Sequence, residues 1–405
     1  MKKLMLGILV VAVVLLALYQ KNIVRLYTAV TLYDQDKIAT NFLTMYQSFN
    51  ATTIPASTEP FHFAVSSKSL PESFDYAAST LKTQSFIEDS QTTGILVLKN
   101  GEIVYEDYRL GHQANKQHIS FSVAKSFVSA LMGIAIAEGH VTSIEQPVTE
   151  YVPELKGSGY QGVRIKDVLQ MSSGVAFNED YGDFNSDINR FSRATAFGTS
   201  LDDFSASLER EREPGTYHHY VSIDTQVLGM VLTRATGKSL TQYLSEKLWQ
   251  PLGMEHQAFW LADDNDMELA LGGLNVSLRD YAKLGWLFLN QGAWTNQEGV
   301  TQQIVPKQWV IDSTTADSPH LVAGENNPAS SSPFGYGYQW WLPLDAEDEF
   351  AAQGIYHQYI YIDPDQQLVI VKNSANYRYN DKSLNWSAKH YAMFRGISEH
   401  FSEDL

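Results

Sequence analysis

The sequence predicts an α/β (α+β) fold in which strands from both chain ends form one antiparallel sheet, flanked by helices. Near the N-terminus, two apolar segments at 94–100 and 103–108 flank Asn100-Gly101, a pair typical of a tight hairpin turn. Near the C-terminus, the apolar segments 358–362 and 367–372 flank a second turn that contains proline. Strands at both ends with helical patterns between them indicate a single sheet interrupted by a helical insertion.

The helical part of the prediction is centred on residues 119–139. Serines stand at the start of this segment, Gly139 ends it, and apolar residues recur at helical spacing with little charge on any face, which is typical of a buried helix. Residues 276–292 predict a further helix in which Ser277 caps the N-terminus with Asp280 three residues on. The remaining predicted helices span 163–171, 225–236, 240–248 and 384–401.

Composition excludes several classes of function. The chain has 405 residues, 44% of them hydrophobic and 19% charged, so a substantial core is expected rather than disorder. A formal net charge of −17 argues against nucleic acid as a partner, because phosphate binding needs a basic face. The chain contains no cysteine, which removes disulfides, cysteine nucleophiles and zinc–thiolate or iron–sulfur sites.

The N-terminus carries the membrane signal. Lys2 and Lys3 precede an apolar run at 4–19, which as a helix would rise about 24 Å against a hydrocarbon core of roughly 30 Å. The run does not end in a small-x-small cleavage site. An uncleaved single-pass anchor is therefore favoured, with a cleaved signal peptide and a buried core helix as alternatives. The two lysines would hold the short tail in the cytoplasm, so we expect an inner-membrane protein whose remainder is extracytoplasmic, or periplasmic.

The predicted organisation has three parts. Residues 1–21 form the anchor or signal segment, and residues 22–60 form a juxtamembrane segment, a stalk or irregular lead-in with several prolines and threonines. Residues 61–405 form one domain, with a helical subdomain at about 140–300.

The first motif that carries chemistry is Ser122-Val-Ala-Lys125 at the start of the central helix. Residues i and i+3 share a helical face, so the lysine amine can reach the serine hydroxyl. A serine hydroxyl becomes a strong nucleophile only when a base takes its proton. Burial and the positive end of the helix both lower the pKa of an amine toward that use. The N–H of Ser122 is free at a helix start and could stabilise an oxyanion. An N-cap serine beside a solvated lysine is the alternative.

Two later segments add further candidates. Tyr220-Val-Ser222 follows a Pro-Gly turn and precedes a predicted helix, so Tyr220 could take part in proton transfer near the lysine, or could simply be a buried tyrosine. Gly354 leads into a C-terminal strand and would let a substrate approach an edge strand closely. The N–H of Ile355 could be a second oxyanion donor.

With these residues in order, the chain resembles the penicillin-recognising serine hydrolases, and most closely the β-lactamase-related branch that includes class C β-lactamases, family VIII carboxylesterases and 6-aminohexanoate-dimer hydrolase. The resemblance covers residues 90–395. It implies a β-lactamase/penicillin-binding-protein-like fold and an acyl-enzyme mechanism. Ser122 would be the nucleophile, Lys125 its base or proton partner and Tyr220 the acid/base for the leaving group. The other segments that carry the resemblance are DVLQMSSGV (167–175), PLGM (251–254), GGLN (272–275), Arg279-Asp280 and YGYQWW (336–341).

Two positions depart from the pattern of the resembled family. Ser222 stands where class C β-lactamases carry asparagine, and Ala352-Gln353-Gly354 replaces Lys-Thr-Gly or His-x-Gly. The missing cation disfavours substrates with a carboxylate, which favours esters and simple amides over β-lactams. Ser222 and Gln353 are expected to line the pocket.

The resulting hypothesis is a membrane-anchored serine hydrolase that acts on a small-molecule ester or amide without a cofactor or metal. A catalytically silent binding or sensor module is the alternative, as is a β-lactamase or DD-peptidase. His218-His219 could hint at a metal, but no third ligand stands at sensible spacing. His357 could contact the substrate, Glu179, Asp180 and Asp183 could rim the cleft, and Trp340 and Trp341 could line an acyl pocket; packing or solvated loops are the alternatives. Oligomeric state is not predicted.

Overall fold

The protein is described by a computed structural model at residues 5, 20 and 23–402. A first helix, α1, is described over 23–31. The other helices are α2 Ile38–Ser48, α3 Thr83–Asp89, α4 Ala124–Ala137, α5 Ile165–Leu169, α6 Asp187–Phe197, α7 Leu201–Ala206, α8 Ile223–Thr236, α9 Leu240–Leu244, α10 Leu278–Leu289, α11 Lys307–Ser313 and α12 Trp386–Ser402. The strands are β1 Ala51–Ile54, β2 Ala64–Val65, β3 Ser73–Tyr76, β4 Ser79–Lys82, β5 Thr92–Lys99, β6 Glu102–Tyr108, β7 Gln117–Ile119, β8 Ala258–Leu261, β9 Leu274–Ser277, β10 Ala293–Thr295, β11 Thr301–Gln303, β12 Gly335–Tyr336, β13 Trp341–Leu342, β14 Phe350–Gly354, β15 Gln358–Asp363 and β16 Leu368–Ser374.

The main sheet joins the two ends of the described chain, as the sequence predicts. Its strand order is β12-β13-β14-β15-β16-β5-β6-β2, so the C-terminal hairpin β15–β16 lies directly against the N-terminal hairpin β5–β6. Every neighbouring pair is antiparallel except β2–β6, which is parallel. The predicted α+β class and the antiparallel sheet are therefore confirmed.

Helices cover both faces of this sheet. On one face, α3 and α12 pack through an apolar cluster that includes Phe86, Phe394 and Ile397. On the other face, α10 packs against β15 and β16, closely enough that a Cβ at Gly285 would lie 2.5 Å from a methyl group of Val369. Behind α10 lies α4, in which every residue from Ala124 to Ala135 is buried. The prediction of a buried central helix is correct for this part.

The segment 119–139 differs from the prediction at its start. Residues 117–119 form β7 and Phe121–Val123 form a 3-10 turn, so the α-helix begins only at Ala124. The predicted insertion at 140–300 is also not purely helical. It contributes β8 and β9 to a second sheet of order β1-β8-β9-β7. The predicted cap of α10 is present, because Ser277 accepts a hydrogen bond from the N–H of Asp280.

The segment 22–60, expected to be a stalk, is largely folded onto the domain. Strand β1 pairs with β8 in register from Ala51 to Ile54, which places the second half of this segment inside the domain that was predicted to start at residue 61. Phe42 of α2 is fully buried, and its ring lies 4.9 Å from that of Phe121 and 5.0 Å from that of Tyr356. Burial of these aromatic rings outweighs the polar, proline-containing composition that suggested a stalk.

The predicted membrane span at 4–19 lies, apart from residue 5, outside the described residues. Within the described part of the chain, no helix combines the length and the apolar character that crossing a bilayer would require.

Candidate active site

Ser122 lies in a strained turn between β7 and α4. The preceding residue, Phe121, has φ of 44°, a backbone conformation that costs free energy for a residue with a large side chain. Such strain persists only where the surroundings enforce it, and it is most often found at functional sites. Here the Phe121 ring is held against Phe42 and Tyr356, and Gly272 leaves room for the Phe121 backbone.

Lys125 is one helical turn away and fully buried. Its Nζ lies 2.9 Å from Ser122 Oγ and donates a hydrogen bond to the carbonyl oxygen of Leu271 at 2.6 Å. Burial lowers the pKa of Lys125 from 10.5 to about 7, while the charge of Glu179 acts in the opposite direction. A lysine whose pKa lies this near neutrality has a neutral form available at pH 7, unlike a lysine in water. A neutral amine that donates one proton to Leu271 still has a lone pair to accept the proton of Ser122.

Tyr220 stands on the other side of the lysine. The Lys125 Nζ lies 5.4 Å from the centroid of the Tyr220 ring, and Trp341 stacks on that ring at 5.0 Å. Burial and the nearby Glu179 raise the pKa of Tyr220 far above its usual value, and hydrogen bonds with Ser122 and Ser222 only partly oppose this. The phenol is thus protonated at neutral pH and has a proton to give, whereas neutral Lys125 can accept one.

Glu179 anchors the second motif, Tyr220-Val-Ser222. Its carboxylate accepts hydrogen bonds from the Ser222 hydroxyl at 2.6 Å, from the Ser222 N–H at 2.9 Å and from the Tyr181 hydroxyl at 2.9 Å. The Ser222 hydroxyl therefore gives its one proton to Glu179, and it does not cap the start of α8. The sequence offered Glu179 only as one of three acidic residues in a loop, and nothing in the local pattern distinguishes it from Asp180, which is exposed.

The third motif, Ala352-Gln353-Gly354, reaches the site through Gly354 and the following Ile355. A Cβ on Gly354 would lie 2.7 Å from the carbonyl oxygen of Ser120. Glycine is therefore required for β14 to approach the turn that carries Ser122. As a whole β14 lies between β13 and β15, but β13 pairs with it only at Ala351. Residues 352–354 therefore have no partner on that side among the described strands, as the expected edge requires. Among the described residues, no turn or loop hydrogen bond engages the N–H of Ser122 or of Ile355, which leaves both available for an oxyanion.

Gln353 points away from the nucleophile. Its side-chain amide donates to the hydroxyl of Tyr391 at 2.7 Å, and it lines a separate cavity together with His357. The cavity that contains Ser122 has a volume of about 630 Å³ and includes Ile355 but neither Gln353 nor Ser222 in its walls. The structure thus brings together Ser122, Lys125, Tyr220 and Ile355 and places the side chain of Gln353 elsewhere.

Two basic residues that could replace the missing cation at Ala352-Gln353, Arg279 and Lys372, are engaged elsewhere. Arg279 forms a two-point ion pair with Glu106, at 2.8 and 2.7 Å. Lys372 is fully buried beside the Ser374 hydroxyl, and burial lowers its pKa well below its usual value. Neither lines the Ser122 cavity. The cation that Ala352 and Gln353 lack is therefore not supplied by these two residues.

The remaining candidates are structural. His218 is buried against the Tyr336 ring and its Nδ1 lies 3.0 Å from the Ser330 hydroxyl, whereas His219 lies beside Arg212. Within the described residues, no group of three or more potential ligand side chains is placed to hold a metal ion. Trp340 is buried in the core, and Trp341 supports Tyr220, so neither lines the Ser122 cavity.

The main sheet stands beside a serine and a lysine one helical turn apart, and the pKa of the lysine is lowered toward neutrality. A tyrosine lies next to the lysine. Together these features define a serine hydrolase of the penicillin-recognising type. Comparison with known proteins agrees. The sequence profile of the family described as Beta-lactamase matches residues 83–387. The 6-aminohexanoate-dimer hydrolase of Paenarthrobacter ureafaciens is 31% identical over 296 residues, which is 71% of this chain and 74% of that protein. The chain belongs to the β-lactamase family.

Solved structures show the same fold. A protein of Bacillus anthracis, described as a candidate 6-aminohexanoate-dimer hydrolase, superposes with a TM-score of 0.81 at 23% identity, covering 92% of this chain and 96% of its own. EstCE1, described as a hydrolase with promiscuous acyltransferase activity, superposes with a TM-score of 0.60 at 14% identity, covering 78% and 96%. These structures confirm the predicted fold. The family match and the relative at 31% identity confirm the predicted enzyme class, a serine hydrolase.

The electrostatics of Lys125 predict a pH dependence. If neutral Lys125 is the base, kcat/KM for an uncharged ester should rise as the pH increases through about 7 and then level off. Glu179 favours the charged amine, so Glu179→Gln should move the midpoint of this profile to lower pH. The measurement is the pH profile of kcat/KM, which reports the free enzyme.

Asp180→Asn is the matched control, because it removes an equal charge from the neighbouring exposed carboxylate, which does not act on Lys125. Its midpoint should stay where it is in the wild type. A midpoint that moves upward in Glu179→Gln, or equally in both variants, would contradict this assignment of the electrostatics.

Proposed function

We propose that the protein hydrolyses esters or simple amides through an acyl-enzyme on Ser122. The observation that carries this proposal is the 2.9 Å contact between Ser122 Oγ and a lysine amine whose pKa is lowered to about 7. The name of its relative, a 6-aminohexanoate-dimer hydrolase, supports an amide-type substrate. That of its structural neighbour, a hydrolase with acyltransferase activity, supports acyl transfer.

In the proposed reaction, the Ser122 proton passes to Lys125 Nζ while Oγ forms a bond to the substrate carbonyl carbon. The resulting oxyanion accepts hydrogen bonds from the N–H groups of Ser122 and Ile355. As the bond to the leaving group breaks, Tyr220 gives its proton to the departing oxygen or nitrogen and recovers one from protonated Lys125. Water then attacks the acyl-enzyme by the same route, which releases the acid and restores Ser122.

Ser122→Ala should abolish hydrolysis, because no other group in the motif can form the acyl-enzyme. A fluorophosphonate should label the wild-type protein on the peptide that contains Ser122, as read by mass spectrometry. Ser192→Ala is the control, since Ser192 lines the same cavity but its hydroxyl donates to the carbonyl oxygen of Ile188.

The Ser192 variant should keep both labelling and turnover. Labelling at a serine other than 122 would contradict the assignment of the nucleophile. Labelling at Ser122 without turnover of any ester or amide would instead favour the silent sensor module.

Within this class, we propose that esters and small amides are preferred over β-lactams. The support is the missing cation at Ala352-Gln353, together with the engagement of Arg279 by Glu106 and the burial of Lys372. A charge-assisted contact to a substrate carboxylate is worth about 1.5–3 kcal/mol, or roughly 10- to 150-fold in binding.

The corresponding measurement compares kcat/KM for p-nitrophenyl butyrate with that for a chromogenic cephalosporin. The ester value should be the higher of the two. Arg279→Gln should leave the ratio unchanged, because this arginine is already paired. A cephalosporin value equal to or above the ester value would support a β-lactamase or DD-peptidase instead.

We further propose that residues 1–21 anchor the protein in the inner membrane with the catalytic domain on the extracytoplasmic side. The support is the apolar run at 4–19 behind two lysines. A reporter active only outside the cytoplasm, fused after residue 30, should be active, and the full chain should sediment with membranes. A matched fusion that lacks residues 1–21 should lose reporter activity. Reporter activity retained without that segment, or absent with it, would overturn this topology.

A further inference from the structure

The cavity beside Ser122 has a wall that the catalytic motifs do not provide. Helix α1 contributes Leu26, Ala29 and Val30, and α6 with the loop before it contributes Phe184 and Phe197 among others. At about 630 Å³ the cavity is within the range of roughly 300–1,000 Å³ that small-molecule sites occupy.

The interior of this cavity is largely apolar. Three of its polar side chains donate hydrogen bonds to nearby backbone carbonyl oxygens. Asn189 donates to the carbonyl oxygens of Tyr181 and Asp183, Ser192 donates to that of Ile188, and Thr195 donates to that of Phe191. Away from Ser122 and Ile355, a ligand in this cavity therefore meets mainly methyl groups and rings.

Arg193 is the charged residue among the described residues that line the cavity, and it is also engaged. Its guanidinium lies 4.0 Å from the centroid of the Phe184 ring and donates to the carbonyl oxygen of the same residue at 2.7 Å. No carboxylate lines the described wall, so a substrate ammonium group would find no counter-charge there. Apart from the Arg193 guanidinium, which lies against Phe184, the walls favour an apolar group.

The cavity opens at an apolar rim. Val30 is 75% exposed and Phe184 is 70% exposed, and Leu26 and Phe197 are also exposed although all four line the cavity. Deeper lining residues such as Ile119, Phe191 and Leu261 are buried. An exposed cluster of large apolar side chains at a cavity mouth is typical of a site that takes an apolar ligand or meets a lipid surface.

The rim is held in place by α1. Arg25 of this helix donates to the carbonyl oxygen of Thr195 on α6 at 2.9 Å and pairs with Asp264 at 3.3 Å. Asn41 of α2 donates to the carbonyl oxygens of Thr31 and Leu32, which fixes the end of α1. The wall is therefore built into the folded chain.

The position of the cavity relative to the catalytic groups identifies which part of a substrate it holds. Ser122 and Ile355, the nucleophile and a candidate oxyanion donor, lie in its walls. Tyr220, which serves the leaving group, does not; it is stacked on Trp341. The cavity therefore continues from the acyl side of the carbonyl carbon.

We propose that this cavity binds the acyl chain of the substrate and that the substrate is an ester with a long, apolar acyl chain. This inference rests on the proposed hydrolysis at Ser122. It assigns to α1, a segment outside the catalytic motifs, the role of one wall of the acyl site. A chain that runs from Ser122 past the buried lining residues toward the rim leaves water over the part that lies inside the cavity, which favours long chains over short ones.

The test uses the full chain and p-nitrophenyl esters of acetate, butyrate and octanoate, each below its solubility limit. The value of kcat/KM should increase by at least about tenfold from acetate to octanoate, since each added methylene group is removed from water. A flat or falling series in an enzyme whose acetate hydrolysis is lost in Ser122→Ala would overturn the acyl site and leave the proposed function standing.

Two variants test the wall itself. Val30→Glu places a charge on an exposed rim position, where folding should tolerate it, and Ala29→Trp fills the cavity beside it. Both should lower the octanoate-to-acetate ratio. Val300→Glu is the matched control, because Val300 is another exposed valine that does not line the cavity, and its ratio should equal that of the wild type. Equal ratios in all three variants would overturn the role of α1.

The same chemistry is available from a dissolved ester or from a lipid surface, and a second arm separates these sources. Monooctanoylglycerol is offered in solution and in phosphatidylcholine vesicles. Hydrolysis of the vesicle-held ester that is weakened by Val30→Glu supports a lipid source, and hydrolysis confined to the dissolved ester supports a soluble one. Failure to cleave any ester, with no labelling of Ser122, would contradict the proposed function and the acyl site together.

Discussion

Removal of the Lys125 amine from water is the constraint on which the rest of the site depends. A lysine in water has a pKa near 10.4 and is almost never a base at neutral pH. The protein lowers that pKa to about 7 by placing the residue at the start of a helix that is buried on every side. A serine at the same helical spacing on a solvated helix would face a charged ammonium group and would gain no base. The apolar character of α4 is thus a chemical requirement as well as a packing one.

Burial of the amine creates a second requirement, because a buried donor needs an acceptor. That acceptor is the Leu271 carbonyl, which comes from the turn before β9, remote in sequence. Gly272 follows it, and a side chain there would press on the backbone of Phe121. Gly354 allows the same kind of contact from the other side, where β14 approaches Ser120. Gly272 and Gly354 thus allow two backbone segments to pack against the strained turn, one from the insertion and one from the main sheet.

The sequence predicts the sheet and the catalytic motifs well for a physical reason. Hairpins and helix starts are encoded locally, so Asn100-Gly101 and the Ser122–Lys125 spacing could be interpreted without tertiary contacts. The direction of a side chain at a strand end cannot be predicted in this way. It depends on the group, often remote in sequence, with which that side chain forms a hydrogen bond. Gln353 stands in a motif position, yet its amide is bound by Tyr391 on α12. Glu179 looks like a solvated acid in sequence, yet two hydrogen bonds from Ser222 draw it into the site.

The N-terminal segment shows the same limit on a larger scale. Its polar, proline-containing stretch suggests a stalk, and only tertiary contacts reveal otherwise. The ring of Tyr33 stacks on that of Tyr356 at 5.3 Å, and Tyr356 in turn follows Ile355, a candidate oxyanion donor. Since Phe42 packs against both Phe121 and Tyr356, one buried ring supports the residue before the nucleophile and the residue after the second N–H. The same N-terminal helices contact both sides of the proposed oxyanion site and line the cavity beside Ser122, so the proposed catalytic geometry and the proposed acyl selectivity depend on one segment.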